Sequence, residues 1–136
     1  MRILFVDDEP AVLKFLSQIA EFEKFIDYTC VENSEMALTE VLRQPFDLIT
    51  LDILMPGLTG LEIVSLLRNL NPHAVIAILS AHIPDSVSEE ISGCVDVMLW
   101  KPVNVGVLRS LLQGAHKVKQ GMQEVRKLEN LQLEEI

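Results

Sequence analysis

Cysteine, histidine and basic charge are all scarce in this chain, and each scarcity closes off a class of function. Its 136 residues hold two cysteines, Cys30 and Cys94, which lie in or beside apolar stretches without CxxC spacing. They read as small buried hydrophobes rather than as a disulfide or a zinc site. His73, His82 and His116 are scattered, with no carboxylate or cysteine neighbours at ligand spacing, which argues against a histidine metal site. Eleven basic residues face 20 acidic ones, and the net charge of −9 repels nucleic acid and anionic membranes, so no direct nucleic-acid role is expected. Apolar runs reach only about five residues, far short of the roughly 20 that a membrane helix needs. Asp7 and Asp8 fall where the hydrophobic segment of a signal peptide would have to continue. A cytoplasmic location without membrane contact is the expectation. An apolar content of 49% and a mean hydropathy of +0.31 exclude a disordered chain, and the length suits one domain with a real core.

What the chain does have is alternation. Short apolar runs and stretches of helical periodicity follow one another from the first residue to about Lys117. Pro10 sits just inside the first helix, where a missing N–H costs nothing, and Val12, Leu13, Phe15, Leu16, Ile19 and Ala20 give that helix an apolar face. Phe25 to Val31 reads as a less regular second strand. Asn33 or Ser34 can cap the next helix, with Ala37, Leu38, Val41 and Leu42 facing inward before Pro45. A turn-rich loop from Met55 to Gly60 precedes a third helix carrying Leu61, Ile63, Val64, Leu66, Leu67 and Leu70. Val75 to Leu79 is continuously apolar, as expected of a strand covered on both faces. Ala81 to Gly93 has helical anchors only at Val87 and Ile91, so a short helix is expected there. Asp96 to Trp100 forms a fifth strand, and a helix runs on from Asn104. Five strands in strict alternation with five helices, joined by short right-handed connections, predict a doubly wound parallel α/β sheet.

The strand ends carry the chemistry. The first run ends in Asp7-Asp8, Leu48 to Leu51 in Asp52, Val75 to Leu79 in Ser80, and Val97 to Trp100 in Lys101. In parallel strands these ends share one edge of the sheet, where open α/β folds place ligands. Three carboxylates, a hydroxyl and an ammonium then converge. Like charges brought that close repel, so the cluster asks for a hard divalent cation with oxygen ligands. The set suits a metal ion and a phosphate.

With these residues in that order, the chain resembles the receiver domains of two-component response regulators, flavodoxin-like phosphoacceptor modules. The match runs over about residues 1–118, through Val6-Asp7-Asp8-Glu9-Pro10, Leu51-Asp52-Ile53-Leu54-Met55-Pro56-Gly57, Ser80-Ala81 and Lys101-Pro102. The resemblance implies strand order 2-1-3-4-5, a receiver over 1–118 and a C-terminal helical extension or linker over 119–136. It implies that Asp52 takes a phosphoryl group from a phosphohistidine on a sensor histidine kinase or phosphotransfer protein. Magnesium would be held by Asp8, Asp52 and the backbone carbonyl of Leu54, with Asp7 acting mainly through water. Lys101 would neutralise a phosphoryl oxygen, Ser80 would donate a hydrogen bond to it, and Lys101-Pro102 would be a cis bond. Such a domain signals through the surface of its fourth helix, fifth strand and fifth helix to an output domain or partner, and is an enzyme only towards itself.

Two features depart from the family pattern. Met98 stands three residues before the lysine, where the family usually carries Tyr or Phe, which leaves Ser80, Met98 and Trp100 as the switch residues. Trp100 shares a strand face with Met98 by the period of two. Leu54 and His82 occupy the positions that flank the phosphoryl group and influence its lifetime. Farther on, Leu108, Leu111, Ala115, Val118, Met122 and Val125 form a coiled-coil-like seam, which Gly114, Gly121, Glu129 and Gln132 weaken. One reading is a helix that frays after about Gly121; the other is a dimerising or signalling helix leading to an output domain. Three rival classes share parts of the pattern. A flavodoxin would find its flavin phosphate repelled by Asp7-Asp8-Glu9. An aspartyl-nucleophile phosphatase carries an Asp-x-Asp pattern after the first strand, which is absent, and a phosphorylation-independent interaction module has no need of the complete acceptor set.

Overall fold

In the computed structural model, which describes residues 1–55 and 60–134, the chain forms β1 (Ile3–Val6), α1 (Pro10–Phe22), β2 (Tyr28–Val31), α2 (Ser34–Arg43), β3 (Leu48–Leu51), α3 (Gly60–Leu70), β4 (Val75–Ser80), α4 (Glu89–Ser92), β5 (Val97–Trp100) and α5 (Val105–Glu134). All strand pairs are parallel and the sheet order is β2-β1-β3-β4-β5, as expected. The loop residues Pro56 to Thr59 lie outside the described residues.

Two-sided cover explains the continuous apolar strands. Leu4 and Val6 of β1 face a core built with Ala37, Val41, Ile63 and Leu67 of α2 and α3. Ile3 and Phe5 face the opposite core, with Leu13 and Leu16 of α1 and Leu108, Leu112 and Ala115 of α5. Central strands β1 and β3 are wholly buried, whereas the edge strands β2 and β5 are only partly covered.

The local signals act as read. Pro10 opens α1 at its first turn, and the Asn33 side chain accepts from the Met36 N–H at 2.8 Å to cap α2. Several expectations need correction. Cys30 is exposed on the edge strand and Cys94 half-buried, so neither is a buried hydrophobe. Leu42 is 73% exposed, because Ala37 and Val41 already fill the inward stripe of a ten-residue helix. Leu66 and Leu70 are likewise solvated flanks of α3. The second strand begins only at Tyr28 and the fifth only at Val97. Asp96 instead accepts the Ile76 N–H at 2.8 Å and so caps the sheet edge. The short helix before β5 is one turn, Glu89–Ser92, started by the Ser88 side chain accepting from Ile91. Helix α5 does not end at Gly121; it runs 30 residues, roughly 45 Å at 1.5 Å per residue.

One hub had no sequence signal. The Arg68 guanidinium donates to the carbonyls of Ala74 at 2.6 Å and Cys94 at 3.0 Å and to Asp96 Oδ2 at 2.7 Å, joining α3 to the starts of β4 and β5. Charged donors to part-buried carbonyls contribute more than neutral ones, and half-exposed Asp96 recovers some solvation when released. Arg68→Leu should therefore cost about 2–3 kcal/mol in urea unfolding at unchanged slope. A loss below about 0.5 kcal/mol, the size of an ordinary surface change, would show that the hub is cosmetic.

Candidate functional site

Strand register places the acids. Val6 of β1 lies opposite Leu51 of β3, so the residues that follow, Asp7 and Asp52, leave the sheet side by side. Their backbone amides are held by the neighbouring strands, Asp7 N to Val31 O and Asp52 N to Val6 O, each at 3.1 Å. Both side chains are buried, while Asp8 and Glu9 on the turn into α1 are exposed. Carboxylate oxygens of Asp7, Asp8, Glu9 and Asp52 all lie within 4.8 Å of one another. Glu9 did not stand out in the sequence beyond its place in the acidic triplet.

From the other side, Ser80 ends β4 and Lys101 follows β5, with Lys101 N donating to Ser80 O at 2.9 Å. The Lys101-Pro102 peptide bond is cis, as the resemblance implied. The Lys101 ammonium reaches back across the sheet edge to Asp7 Oδ2 at 2.7 Å, Asp52 Oδ2 at 3.0 Å and Glu9 Oε1 at 3.3 Å. The remaining carboxylate oxygens are also engaged: Asp7 Oδ1 accepts the Glu9 N–H and Asp52 Oδ1 accepts the Leu54 N–H, each at 2.9 Å. The side chain of Leu54 itself points to solvent.

Electrostatics follow from this crowding. Burial pushes the Asp7 carboxyl above its ordinary range, against the opposing pull of its hydrogen bonds from Lys101 and the Glu9 amide. Burial would lower the Lys101 ammonium, but its hydrogen bonds to Asp7 and Asp52 outweigh that and raise it. Three carboxylates around one ammonium leave the site with more negative charge than Lys101 can neutralise. Hard oxygen donors in excess over the local cation are the donor set of a magnesium site, so the residues present fit that ion.

The other expected residues are placed as follows. Ser80 is fully buried, its hydroxyl turned onto His82, donating to the carbonyl at 3.3 Å and accepting from the amide at 3.2 Å. His82 itself is exposed. In the β4–β5 register Ile78 pairs with Met98 and Ser80 with Trp100, so Met98 and Trp100 share the face of Ser80. Met98 is half-buried, and Trp100 is 60% exposed rather than packed. Beside Lys101 an apolar groove of about 450 Å³ opens between Val12 and Phe15 of α1 and Pro102 and Val103.

Comparison with known proteins agrees with this geometry. The model of the response regulator receiver domain family matches residues 3–113. The chain is 30% identical over 134 residues to the probable transcriptional regulatory protein TcrX of Mycobacterium tuberculosis, with 92% of this chain and 56% of that protein aligned. It is 29% identical to the response regulator protein PilR of Pseudomonas aeruginosa, over 95% of this chain and 29% of that protein. The chain thus spans only about half or less of the length of these relatives. Among solved structures, the response regulator TrrA of Thermotoga maritima in complex with Mg2+-BeF is 32% identical with a TM-score of 0.73, covering 84% of this chain and 97% of that one. No helix among the described residues is long and apolar enough to cross a membrane. A family match over most of the chain, on the strand order that the sheet shows, leaves one conclusion: the chain belongs to the response regulator receiver domain family, a family of signalling domains.

Proposed function

We propose that this receiver is a magnesium-dependent phosphoacceptor in which Asp52 takes a phosphoryl group from a phosphohistidine of a sensor histidine kinase or phosphotransfer protein. In that step an Asp52 oxygen forms a bond to phosphorus, the bond from phosphorus to the imidazole nitrogen breaks, and the electron pair leaves with the histidine. The observation that carries the reading is the Lys101 ammonium, seated within 3.0 Å of Asp52 and 2.7 Å of Asp7 inside a ring of carboxylates. A fixed cation beside the acceptor serves positioning and charge neutralisation, which is most of what phosphoryl transfer asks of a protein.

Asp8, Asp52 and the Leu54 carbonyl would hold magnesium, with Asp7 through water, and the ion would neutralise charge on the transferred group. The Mg2+-BeF bound by the similar TrrA supports this assignment. Lys101 orients the phosphoryl group as a point charge. Ser80 releases His82 and donates its hydroxyl to that group, so its buried turn is the element that changes state. The apolar groove beside Glu9 and Lys101 would receive a partner protein at the rim of the site. Residues 1–118 would form the receiver and 119–136 a helical extension that relays the change from the α4-β5-α5 surface to an output domain, a partner or a second copy. Within a cell, the cytoplasm is the compartment that suits such a relay.

The test is intact-protein mass spectrometry after incubation with a small phosphodonor, with and without magnesium. One added phosphoryl group that requires magnesium is the expected result; an unchanged mass under both conditions would overturn the reading. A second measurement addresses the switch. Trp100, the single tryptophan, is exposed and paired in register with Ser80. Its fluorescence should therefore change when beryllofluoride and magnesium are added. An unaltered spectrum in a protein that demonstrably binds beryllofluoride would remove Trp100 from the switch and leave Met98 and Ser80.

A further inference from the structure

We propose that Glu9 is a positioning residue that holds the Lys101 ammonium over the carboxylates until a phosphoryl group arrives, and then gives it up. The inference rests on the phosphoacceptor reading and adds to it a residue without an assigned task. An ammonium has three N–H donors. In Lys101 three carboxylate oxygens surround them, from Asp7, Asp52 and Glu9. An incoming phosphoryl oxygen must therefore displace one partner.

The three partners are unequal. The Asp7 and Asp52 side chains are 2% and 5% exposed, against 61% for Glu9. Released from Lys101, Asp7 or Asp52 keeps one amide hydrogen bond but loses its counter-charge in a poor solvent, whereas Glu9 simply hydrates. Glu9 is thus the contact that yields. Among the described residues, Lys101 is the hydrogen-bond and ion-pair partner seen for its side chain. Glu9 occupies the N-cap of α1 without a side-chain capping bond, and its backbone alone accepts from Val12 at 3.0 Å and donates to Asp7. A residue chosen for capping would be Ser, Thr, Asp or Asn.

A carboxylate in that place has two opposed effects. It adds to the negative charge that attracts magnesium, and it both occupies Lys101 and repels an anionic phosphodonor. Glu9→Gln should therefore weaken magnesium binding, measured by calorimetry, by about 2–5-fold, an exposed charge at this distance being worth a fraction of the energy of tenfold affinity. At saturating magnesium the same variant should take a phosphoryl group from acetyl phosphate several-fold faster than wild type. Effects of opposite sign on affinity and rate would not come from a merely structural residue. Glu9→Asp, which keeps the charge but retracts it by one methylene, should bind magnesium like wild type and still be faster. A Glu9→Gln rate at or below wild type with the metal saturating overturns the proposal. Should wild type itself accept no phosphoryl group, the phosphoacceptor reading fails first, and the hand-over proposed for Glu9 fails with it. Thermal melts of Glu9→Gln, Lys101→Met and the double variant then judge the remaining contact separately: non-additive shifts establish the tether, and additive ones remove it.

Discussion

Replacing Asp52 with Asn should abolish phosphorylation outright, while every other substitution in the site should only slow it. The sheet order singles out Asp52: β3 is the central strand of β2-β1-β3-β4-β5. Asp7 and Asp8 leave the strand on one side of it, Ser80 and Lys101 the strands on the other. Among the described residues, Asp52 alone has buried and exposed acids on one flank and a hydroxyl and an ammonium on the other. Asp7 is as deeply buried, but β1 has β2 and β3 as neighbours, so Ser80 at the end of β4 lies one strand farther from it. Asp8→Ala should leave the acceptor intact and shift the magnesium requirement upward. Lys101→Ala should keep the fold and lower the rate by about 10²–10³-fold, the usual scale for removing one preorganised electrostatic donor. Intact-protein mass spectrometry over a time course separates these outcomes. Full modification of Asp52→Asn would sink the assignment, and a Lys101→Ala rate equal to wild type would take the ammonium out of the chemistry.

The elements of that site were legible because each is written locally. An apolar run ending in an acid, hydroxyl or lysine is visible without knowing what the run packs against, and parallel pairing then brings the ends together. What escaped depends on long-range packing. Arg68 looks like an ordinary basic residue near the end of a helix until β4 and the β5 approach bring the carbonyls of Ala74 and Cys94 to it. Glu9 looks like part of an acidic run until Lys101, 92 residues away, closes on it. Cys30 and Leu42 were misplaced for a related reason, since apolar character says that a residue can be buried but not that its strand or helix face has a neighbour. On α5, periodicity found Leu108 and Ala115 but did not single out Leu112, which is fully buried while Leu111 lies at the margin.

That same helix carries the second large effect. Leu108, Leu112 and Ala115 anchor α5 on the sheet, and Lys119 makes a final tie to Asp47 at 3.1 Å at the base of β3. Farther on, Val125, Leu128, Leu131 and Leu133 stand exposed on a helix that continues to Glu134. A helical segment of about a dozen residues is marginal in water by itself, so the apolar stripe of Val125, Leu128 and Leu131, spaced by three, is stabilised by whatever covers it, while Leu133 lies off that face. We expect a second copy of the chain to do so weakly, since Glu129 and Gln132 interrupt the seam. Sedimentation velocity across a concentration series should show a monomer–dimer equilibrium that moves towards dimer with beryllofluoride and magnesium, and deletion of the residues after Gly121 should abolish it. Gly121 provides an internal control. An added Cβ there meets nothing within 4 Å, so Gly121→Ala should raise helix stability by up to about 1 kcal/mol in the monomer. If the two helices cross closely at that glycine, the same change must weaken the dimer while it stiffens the helix. A chain that stays monomeric at every concentration, with and without beryllofluoride, would remove a second copy as the cover of this stripe.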